Sequence, residues 1–279
     1  MRSISIIKPG IIFGNIITLT GGFFLGSQNP IDFLLLFFTL IGMSLTIAAG
    51  CIFNNMIDSD IDRLMERTKY RLLAVGAMTK TKASIYAVIA LALGCIVLYI
   101  ATNPLTLLIA MVGLFFYVVV YSLFLKRRST LSTVVGGIAG AIPPVVGYCA
   151  VTDRFDSGAI IVFLILFFWQ LPHFYAIAIY RLSDFSAASI PVLPNKKGVQ
   201  YTKIAIVVYT AIFTAVSLLP SIFEYTGTAY FVVALGLGVT WFVMGMRGFT
   251  VDEPKPWARK MFLFSILLIT ILSLMMAIK

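Results

Sequence analysis

Long apolar runs alternate with short polar connections along this chain, and the pattern predicts its fold. A helix that crosses the hydrocarbon core of a bilayer takes about 20 apolar residues, and nine runs approach or reach that length. We therefore predict an all-α polytopic membrane helical bundle, with nine transmembrane helices around a central cavity and one domain over residues 1–279. The predicted spans are Pro9–Leu25, Phe33–Asn55, Ala83–Ala101, Pro104–Leu125, Thr133–Val151, Ala159–Tyr180, Ile204–Phe223, Thr228–Met246 and Ala258–Ile278.

The composition supports this fold. Hydrophobic residues make up 60% of the chain and charged residues only 11%, which excludes an ordinary water-soluble globular protein. The three cysteines, Cys51, Cys95 and Cys149, lie singly inside apolar runs with no C-x-x-C spacing. We predict that they are packing residues and form no disulfide.

The basic residues predict the orientation of the spans. Of the 21 Lys and Arg residues, all but Arg154 and Lys279 lie in the N-terminus or in or beside the connections after spans two, four, six and eight, with Arg259 and Lys260 in the first turn of span nine. Short basic loops stay in the cytoplasm, so we predict a cytoplasmic N-terminus in a bacterial inner membrane. This topology and anionic lipid headgroups explain most of the net charge of +10. No nucleic-acid partner is expected, although some basic residues are available for an anionic substrate.

The connection after span two carries an unusual set of polar residues. Asn54, Asp58 and Asp62 repeat every four residues, so a continued helix places them on one face, with Asn55 beside them and Asp60 on the other side. Carboxylates and amide oxygens on one face repel one another unless a cation lies between them. Hard oxygen ligands of this kind suit Mg²⁺, and we predict a magnesium site here.

Three other interpretations of this stretch are open. An EF-hand loop also begins D-x-D-x-D, but it requires Gly and Glu where this chain has Arg63 and Lys69. The acidic triplet alone also fits the D-x-D metal site of a sugar transferase. The third interpretation is a solvated helix end whose acids pair with neighbouring charged side chains such as Arg67.

The connection after span six is the second unusual segment. The aromatic and polar stretch Trp169–Tyr175 precedes it, and at 100° per residue His173, Tyr180 and Asp184 fall on nearly one stripe. A continued helix would place His173 roughly 16 Å deeper than Asp184. A polar residue at that depth faces the bundle interior. For a single histidine this predicts an internal hydrogen bond or a contact with a ligand.

Several motifs resemble one family. The run Asn54–Asp62 resembles the N-D-x-x-D-x-x-x-D motif of the UbiA-type intramembrane prenyltransferases, with Asn55 in place of the first Asp. Four further motifs are similar to the haem O synthase subfamily, namely Lys8-Pro9-Gly10 with Asn15, Asp62-Arg63-x-Met65-x-Arg67-Thr68-x-x-Arg71, Trp169-Gln170-x-Pro172-His173, and Asp184-Phe185 with Ile190-Pro191-Val192-Leu193-Pro194. The chain departs from the pattern at Leu72, where many relatives have Pro, and at Ala188, where the superfamily has a second Asp. The departure at Ala188 removes a carboxylate that could hold a second metal.

The resemblance implies an enzyme that transfers a farnesyl group from farnesyl diphosphate to haem B, with water added, to give haem O. It implies Mg²⁺ as the cofactor and haem B as a substrate rather than a cofactor. The lipid bilayer and a downstream haem A synthase or terminal oxidase are the implied partners. The implied catalytic residues are Asp58, Asp62, Asn54 and Asn55, and the implied metal ligands are Asp58, Asp62, Asn54 and Asp184. The implied substrate-binding residues are Arg63, Arg67, Lys69, Arg71, Lys126, Arg127, His173, Tyr180, Arg181, Asp184 and Lys197.

Two other functions remain open at this stage. A related intramembrane prenyltransferase would act on a quinone precursor. A transporter would place its carboxylates near the middle of the membrane, whereas Asp58, Asp62 and Asp184 are predicted at the cytoplasmic ends of spans. The position of the acids therefore favours an enzyme.

Overall fold

The structure, a computed structural model, describes residues 6–27 and 30–278. Arg2 and Lys279, which contributed to the predicted orientation, lie outside these residues. Within the described part, nine helical segments are long and apolar enough to cross a membrane, as predicted. These segments are Pro9–Gly26, Phe33–Ile57, Lys80–Ala101, Pro104–Leu125, Ser132–Thr152, Ser157–Tyr180, Leu193–Ile222, Thr228–Phe249 and Pro254–Met275.

The regular elements that build these segments are helical throughout the described residues. Five of the nine segments are single α-helices, and the other four each combine two helical elements. In chain order the α-helices are α1 (Pro9–Gly26), α2 (Phe33–Ile57), α3 (Ser59–Asp62), α4 (Lys80–Ala101), α5 (Pro104–Phe115), α6 (Ser132–Gly140), α7 (Ile142–Thr152), α8 (Ser157–Tyr180), α9 (Leu182–Ala187), α10 (Leu193–Ser217), α11 (Leu219–Ile222), α12 (Thr228–Met246) and α13 (Pro254–Met275).

Side-chain caps explain where several helices begin. Each capping side chain accepts a hydrogen bond from a backbone N–H of the first turn, at 2.8 to 3.2 Å. Such a cap satisfies a donor that has no partner inside the helix. The caps are Asp32 for α2, Thr79 for α4, Asn103 for α5 and Asp156 for α8.

The seventh span differs most from its prediction. Hydropathy placed its start at Ile204, but helical structure begins at Leu193. The added turn contains the polar residues Asn195 to Lys197, and Gly198 then breaks the helix with φ 85° and ψ 162°. Glycine tolerates this positive φ because it has no Cβ. The polar turn therefore precedes the apolar helix without continuing its axis.

Small residues allow the helices to approach closely. A Cβ on Gly22 of α1 would collide with the backbone of Pro144 in α7, and a Cβ on Gly147 would collide with the backbone of Leu19. Likewise, a Cβ on Gly94 of α4 would lie 2.9 Å from the carbonyl oxygen of Gly42 in α2. Small residues at helix interfaces are the usual basis of close packing in membranes, where dispersion and backbone proximity replace the hydrophobic effect.

The fourth span changes its winding halfway. After α5, a π-helix runs from Phe116 to Leu125. Within its last turn the backbone N–H of Lys126 bonds to the carbonyl of Tyr121 at 2.9 Å, five residues earlier. Wide turns of this kind are rare and often lie at functional sites. Here the π-helix leads directly to Lys126.

Candidate active site

The polar residues at the end of α2 are buried although they lie beyond an apolar helix. Asn54, Asn55, Asp58 and Asp62 are each 2% exposed or less, and we call these four residues the carboxylate site. Asp58 leaves the helix with φ −88° and ψ 1°. Nevertheless, the N–H of Asp58 bonds to Asn54 O at 2.9 Å and the N–H of Asp62 to Asp58 O at 2.8 Å. The four-residue spacing therefore continues across the break.

Each carboxylate faces a basic side chain. Lys126 Nζ donates to Asp58 Oδ2, and Arg71 Nη1 donates to both Asp62 oxygens at 2.9 and 2.8 Å. The acids are thus paired, as in the interpretation of a charged helix end, but they are buried rather than solvated. Removing charges from water is costly unless they are paired and hydrogen-bonded, so these contacts are needed for the fold.

Asn54 connects three spans. Its Oδ1 accepts a hydrogen bond from Lys8 Nζ, and its Nδ2 donates to Ser122 Oγ of the π-helix at 3.0 Å. Burial lowers the pKa of Lys8 to about 7. Lys8 has a left-handed backbone, with φ 53°, and precedes Pro9, a combination that only surrounding contacts maintain. The sequence prediction missed Lys8 and Ser122 as site residues, although Lys8 belongs to a motif of the resembled family.

Two buried oxygens of the carboxylate site have no hydrogen-bond donor among the described residues. They are Asp58 Oδ1 and Asn55 Oδ1, whereas Asn55 Nδ2 donates to Ile6 O at 2.7 Å. Arg127 Nη2 lies 3.9 Å from Asp58 Oδ1. Buried polar atoms normally have partners, so these two oxygens are free to bind a cation. A hard divalent cation fits this donor chemistry.

The described residues contain no group of three or more His, Cys, Asp or Glu side chains that could hold a metal. Asp184 is not joined to Asp58 and Asp62 in such a group. Instead, Asp184 Oδ1 accepts from the backbone N–H of Glu66 at 3.2 Å. A cation at the carboxylate site would therefore need ligands beyond protein carboxylates, as Mg²⁺ commonly takes from water and substrate phosphates.

The loop between α3 and α4 folds over the carboxylate site. Arg63 Nε donates to Ala74 O at 2.6 Å, and Thr68 Oγ1 donates to Asp62 O at 2.9 Å. Desolvation and the nearby charge of Arg71 lower the pKa of Arg67. Arg63 therefore shapes the loop, while Arg67 lies among the charges of the site.

Three other predicted residues lie at the surface. Lys69 forms an ion pair with Glu66 at 2.6 Å, and Lys197 is exposed. Arg127 donates to both oxygens of the exposed Asp60, at 2.6 and 2.7 Å, and this hydrogen bonding lowers the pKa of Asp60 to about 2. The structure does not bring Lys69 or Lys197 into contact with the carboxylates.

The second predicted segment faces α13. The His173 ring stacks on Trp169 with 4.5 Å between centroids, and its Nδ1 lies 2.7 Å from Ser265 Oγ. Trp169 Nε1 donates to Ser265 O at 2.9 Å, and Phe262 packs 5.1 Å from the His173 ring. The predicted internal hydrogen bond of the histidine is confirmed, but its partner on the last span was not predicted.

The predicted stripe on α8 is shorter than expected. Arg181 has φ −110° and ψ 28°, so α8 ends at Tyr180 and Asp184 lies on α9. The prediction that Asp184 continues the stripe of His173 was therefore wrong. The guanidinium of Arg181 lies 4.5 Å from the centre of the Tyr180 ring, and that of Arg259 lies 6.0 Å from it. We call the contacts of His173 and Tyr180 with Arg259, Phe262 and Ser265 the α8–α13 seam.

Known proteins share both the sequence and the fold of this chain. Residues 15–267 match the UbiA prenyltransferase family. A protoheme IX farnesyltransferase of Protochlamydia amoebophila is 48% identical over 96% of this chain and 94% of its own length. A protein of the same name from Yersinia enterocolitica is 49% identical over 99% and 93%.

Solved structures show the same architecture. A digeranylgeranylglyceryl phosphate synthase structure superposes with a TM-score of 0.77 at 19% identity, covering 98% of this chain and 93% of that one. A UbiA homolog from Archaeoglobus fulgidus bound to GPP and Mg²⁺ gives 0.73 at 15% identity, covering 99% of each. The chain therefore belongs to the UbiA prenyltransferase family.

Proposed function

We propose that this enzyme transfers the farnesyl group of farnesyl diphosphate to a vinyl group of haem B with addition of water, giving haem O and diphosphate. The relatives that share nearly half of its residues carry the name of this activity. The observation that carries the proposal is the carboxylate site, where buried acids, unpaired oxygens and basic side chains meet at the end of an apolar bundle.

The basic side chains around the carboxylate site suit the diphosphate. Lys8, Arg71 and Lys126 contact its residues directly, and Arg67 lies within electrostatic reach of Asp62. Arginine binds phosphate oxygens through two N–H groups at once, and lysine acts as a point charge. We assign these four side chains to the phosphate oxygens, so that they stabilise the negative charge that develops when the diphosphate leaves.

The free oxygens identify the residues that would hold Mg²⁺. Asp58 and Asn55 would each supply an unpaired Oδ1. Asp62 would act as a ligand only by exchanging its hydrogen bonds from Arg71 for the cation. Asn54 is a weaker candidate than predicted because Lys8 and Ser122 occupy its amide, and the predicted role of Asp184 as a ligand stays a prediction. When bound, a divalent cation supplies Lewis-acid stabilisation of the leaving diphosphate.

The proposed reaction proceeds through carbocations. The allylic C–O bond breaks and its electron pair stays with the diphosphate oxygen. The terminal vinyl carbon of haem B then donates its π electrons to the farnesyl carbon, which forms the new C–C bond. Water adds to the resulting cation beside the porphyrin and loses a proton, which leaves the hydroxyl group of haem O. The side chains bind and orient the diphosphate, and the apolar bundle excludes competing water.

We place the carboxylate site on the cytoplasmic side of a bacterial inner membrane. Arg71 and Lys126, from the loops after spans two and four, meet at this end of the bundle. Short basic loops stay in the cytoplasm. The product, an iron porphyrin with a long apolar chain, would pass to a haem-modifying enzyme or oxidase in the same membrane.

The test compares two aspartates that are two residues apart. Membranes that contain the chain are incubated with haem B, farnesyl diphosphate and Mg²⁺, and the pigments are analysed by mass. We expect haem O from wild type and from Asp60→Ala, and none above background from Asp58→Ala, with all three proteins present in equal amounts. Equal product from Asp58→Ala would contradict the proposed site. Prenylation of added 4-hydroxybenzoate with haem B unchanged would instead assign a quinone precursor as the acceptor.

A further inference from the structure

The hydrogen bonds around His173 fix the position of its ring proton. Ser265 Oγ donates its single proton to Phe262 O at 2.6 Å. The same oxygen lies 2.7 Å from His173 Nδ1, and it has no second proton to give. His173 must therefore donate from Nδ1, and in the neutral ring the lone pair lies on Nε2.

His173 Nε2 has no partner of its own. Over residues 6–27 and 30–278 it forms no hydrogen bond, and it is not among the fully enclosed unpaired atoms, which are Asn55 Oδ1, Asp58 Oδ1 and Tyr230 Oη. The residue is 8% exposed and is held by Trp169 and Phe262. An imidazole that is fixed through Nδ1–H and presents a free Nε2 has the arrangement typical of metal-binding histidines.

Two guanidinium groups lie at the outer end of the same helix face. Arg181 and Arg259 approach the Tyr180 ring at 4.5 and 6.0 Å. Neither forms an ion pair with an acid in the described part of the chain. The ring positions both side chains through cation–π contacts, and their N–H groups remain available for anions. Arginine geometry favours carboxylates and phosphates.

The spacing along α8 relates the two features. Tyr180 lies seven residues after His173, which is two turns and about 10 Å along the helix, on nearly the same face. One ligand that satisfies both ends has a metal centre for Nε2 and, at its edge, carboxylates on flexible arms for the guanidiniums. An iron porphyrin with two propionates on one edge has this form.

We propose that the α8–α13 seam binds the porphyrin acceptor, with His173 Nε2 toward the iron and with Arg181 and Arg259 on the propionates. The identity of the acceptor rests on the proposed function, whereas the seam rests on its own contacts. Ala178 of α8 packs in one cluster with Ile61 and Met65, so the seam adjoins the loop over the carboxylate site. The pose keeps the propionates at the membrane surface and the ring in the apolar bundle.

The test measures binding without farnesyl diphosphate. Three probes are titrated into the purified full chain in detergent and followed by porphyrin absorbance, namely haem B, its dimethyl ester and iron-free protoporphyrin IX. For wild type we expect the ester to bind about tenfold more weakly than haem B, because charged hydrogen bonds are lost. Arg259→Met should weaken haem B by a similar factor and leave the ester unchanged. Lys260→Met, at the next exposed position, is the matched control and should match wild type.

His173→Leu tests the iron contact. It should weaken haem B and its ester, shift their absorbance, and leave protoporphyrin IX binding unchanged. If this variant does not fold, Arg259→Met and the dimethyl ester still test the contacts between the guanidiniums and the propionates. If Arg259→Met and His173→Leu bind all three probes like wild type and still form haem O, the proposed porphyrin site is wrong. The proposed function then remains intact. A wild type that binds no probe and forms no haem O would remove the proposed function.

Discussion

The carboxylate site and the α8–α13 seam both place polar side chains among apolar helices, but the two regions give these side chains different kinds of partner. At the carboxylate site the charges neutralise one another, as in the pairs of Asp58 with Lys126 and Asp62 with Arg71. At the seam, aromatic rings hold the polar groups. Among the described residues, His173 Nε2 forms no hydrogen bond and the two guanidiniums form no ion pair. The first arrangement suits a charged substrate with its cation, and the second suits a large flat ligand with charges only at its edge.

Removal of divalent cations should give the largest difference between the two regions, because it should stop haem O formation without changing haem B binding. Treatment with a chelator should reduce haem O formation to background, and added Mg²⁺ should restore it, because the carboxylate site is proposed to need the cation. Haem B binding at the seam should not change. Pigment analysis and porphyrin titration of the same preparation measure both effects. Full activity in the chelator would contradict the metal site.

Loss of one buried partner should destabilise the carboxylate site. In Lys126→Met the fully buried Asp58 loses the ammonium group with which it pairs. We expect the free energy of unfolding in detergent to fall by about 3 kcal/mol. The double variant Asp58→Asn with Lys126→Met should recover much of this loss. Asp60→Asn, which breaks an exposed pair, should cost less than about 1 kcal/mol. Equal effects of Lys126→Met and Asp60→Asn would show that burial does not distinguish the two pairs.

A smaller effect is expected where the π-helix meets α2. Ser122→Ala removes the acceptor of Asn54 Nδ2 and should lower kcat/KM by roughly fivefold, since one buried hydrogen bond contributes about 1 kcal/mol. Haem B binding should stay the same. Thr240→Ala, whose hydroxyl bonds within its own exposed helix, is the control. An unchanged kcat/KM would show that Lys8 alone positions Asn54.

The smallest effect should come from Trp169→Phe in the seam. Phenylalanine keeps a ring against His173 but loses the hydrogen bond from Nε1 to Ser265 O. We expect haem B affinity to change by less than about threefold, because stacking rather than this bond holds the imidazole. A tenfold loss in the same titration would mean that the bond sets the distance between α8 and α13.

The sequence by itself determined the nine spans, because about 20 apolar residues in a row have few other stable arrangements. It also identified Asn54, Asp58 and Asp62, since polar residues at helical spacing beside a span stand out locally. Only the tertiary structure showed that Lys8, Ser122 and Lys126 meet them, and that α8 ends before Asp184.

The tertiary structure alone also placed Ser265 and Arg259 opposite α8. These contacts join residues far apart in the chain, as between His173 and Ser265. Local periodicity fixes which face a residue occupies, but it does not fix which helix packs against that face. Close packing between small residues and the widened turns of the π-helix determine which helices pack against each other.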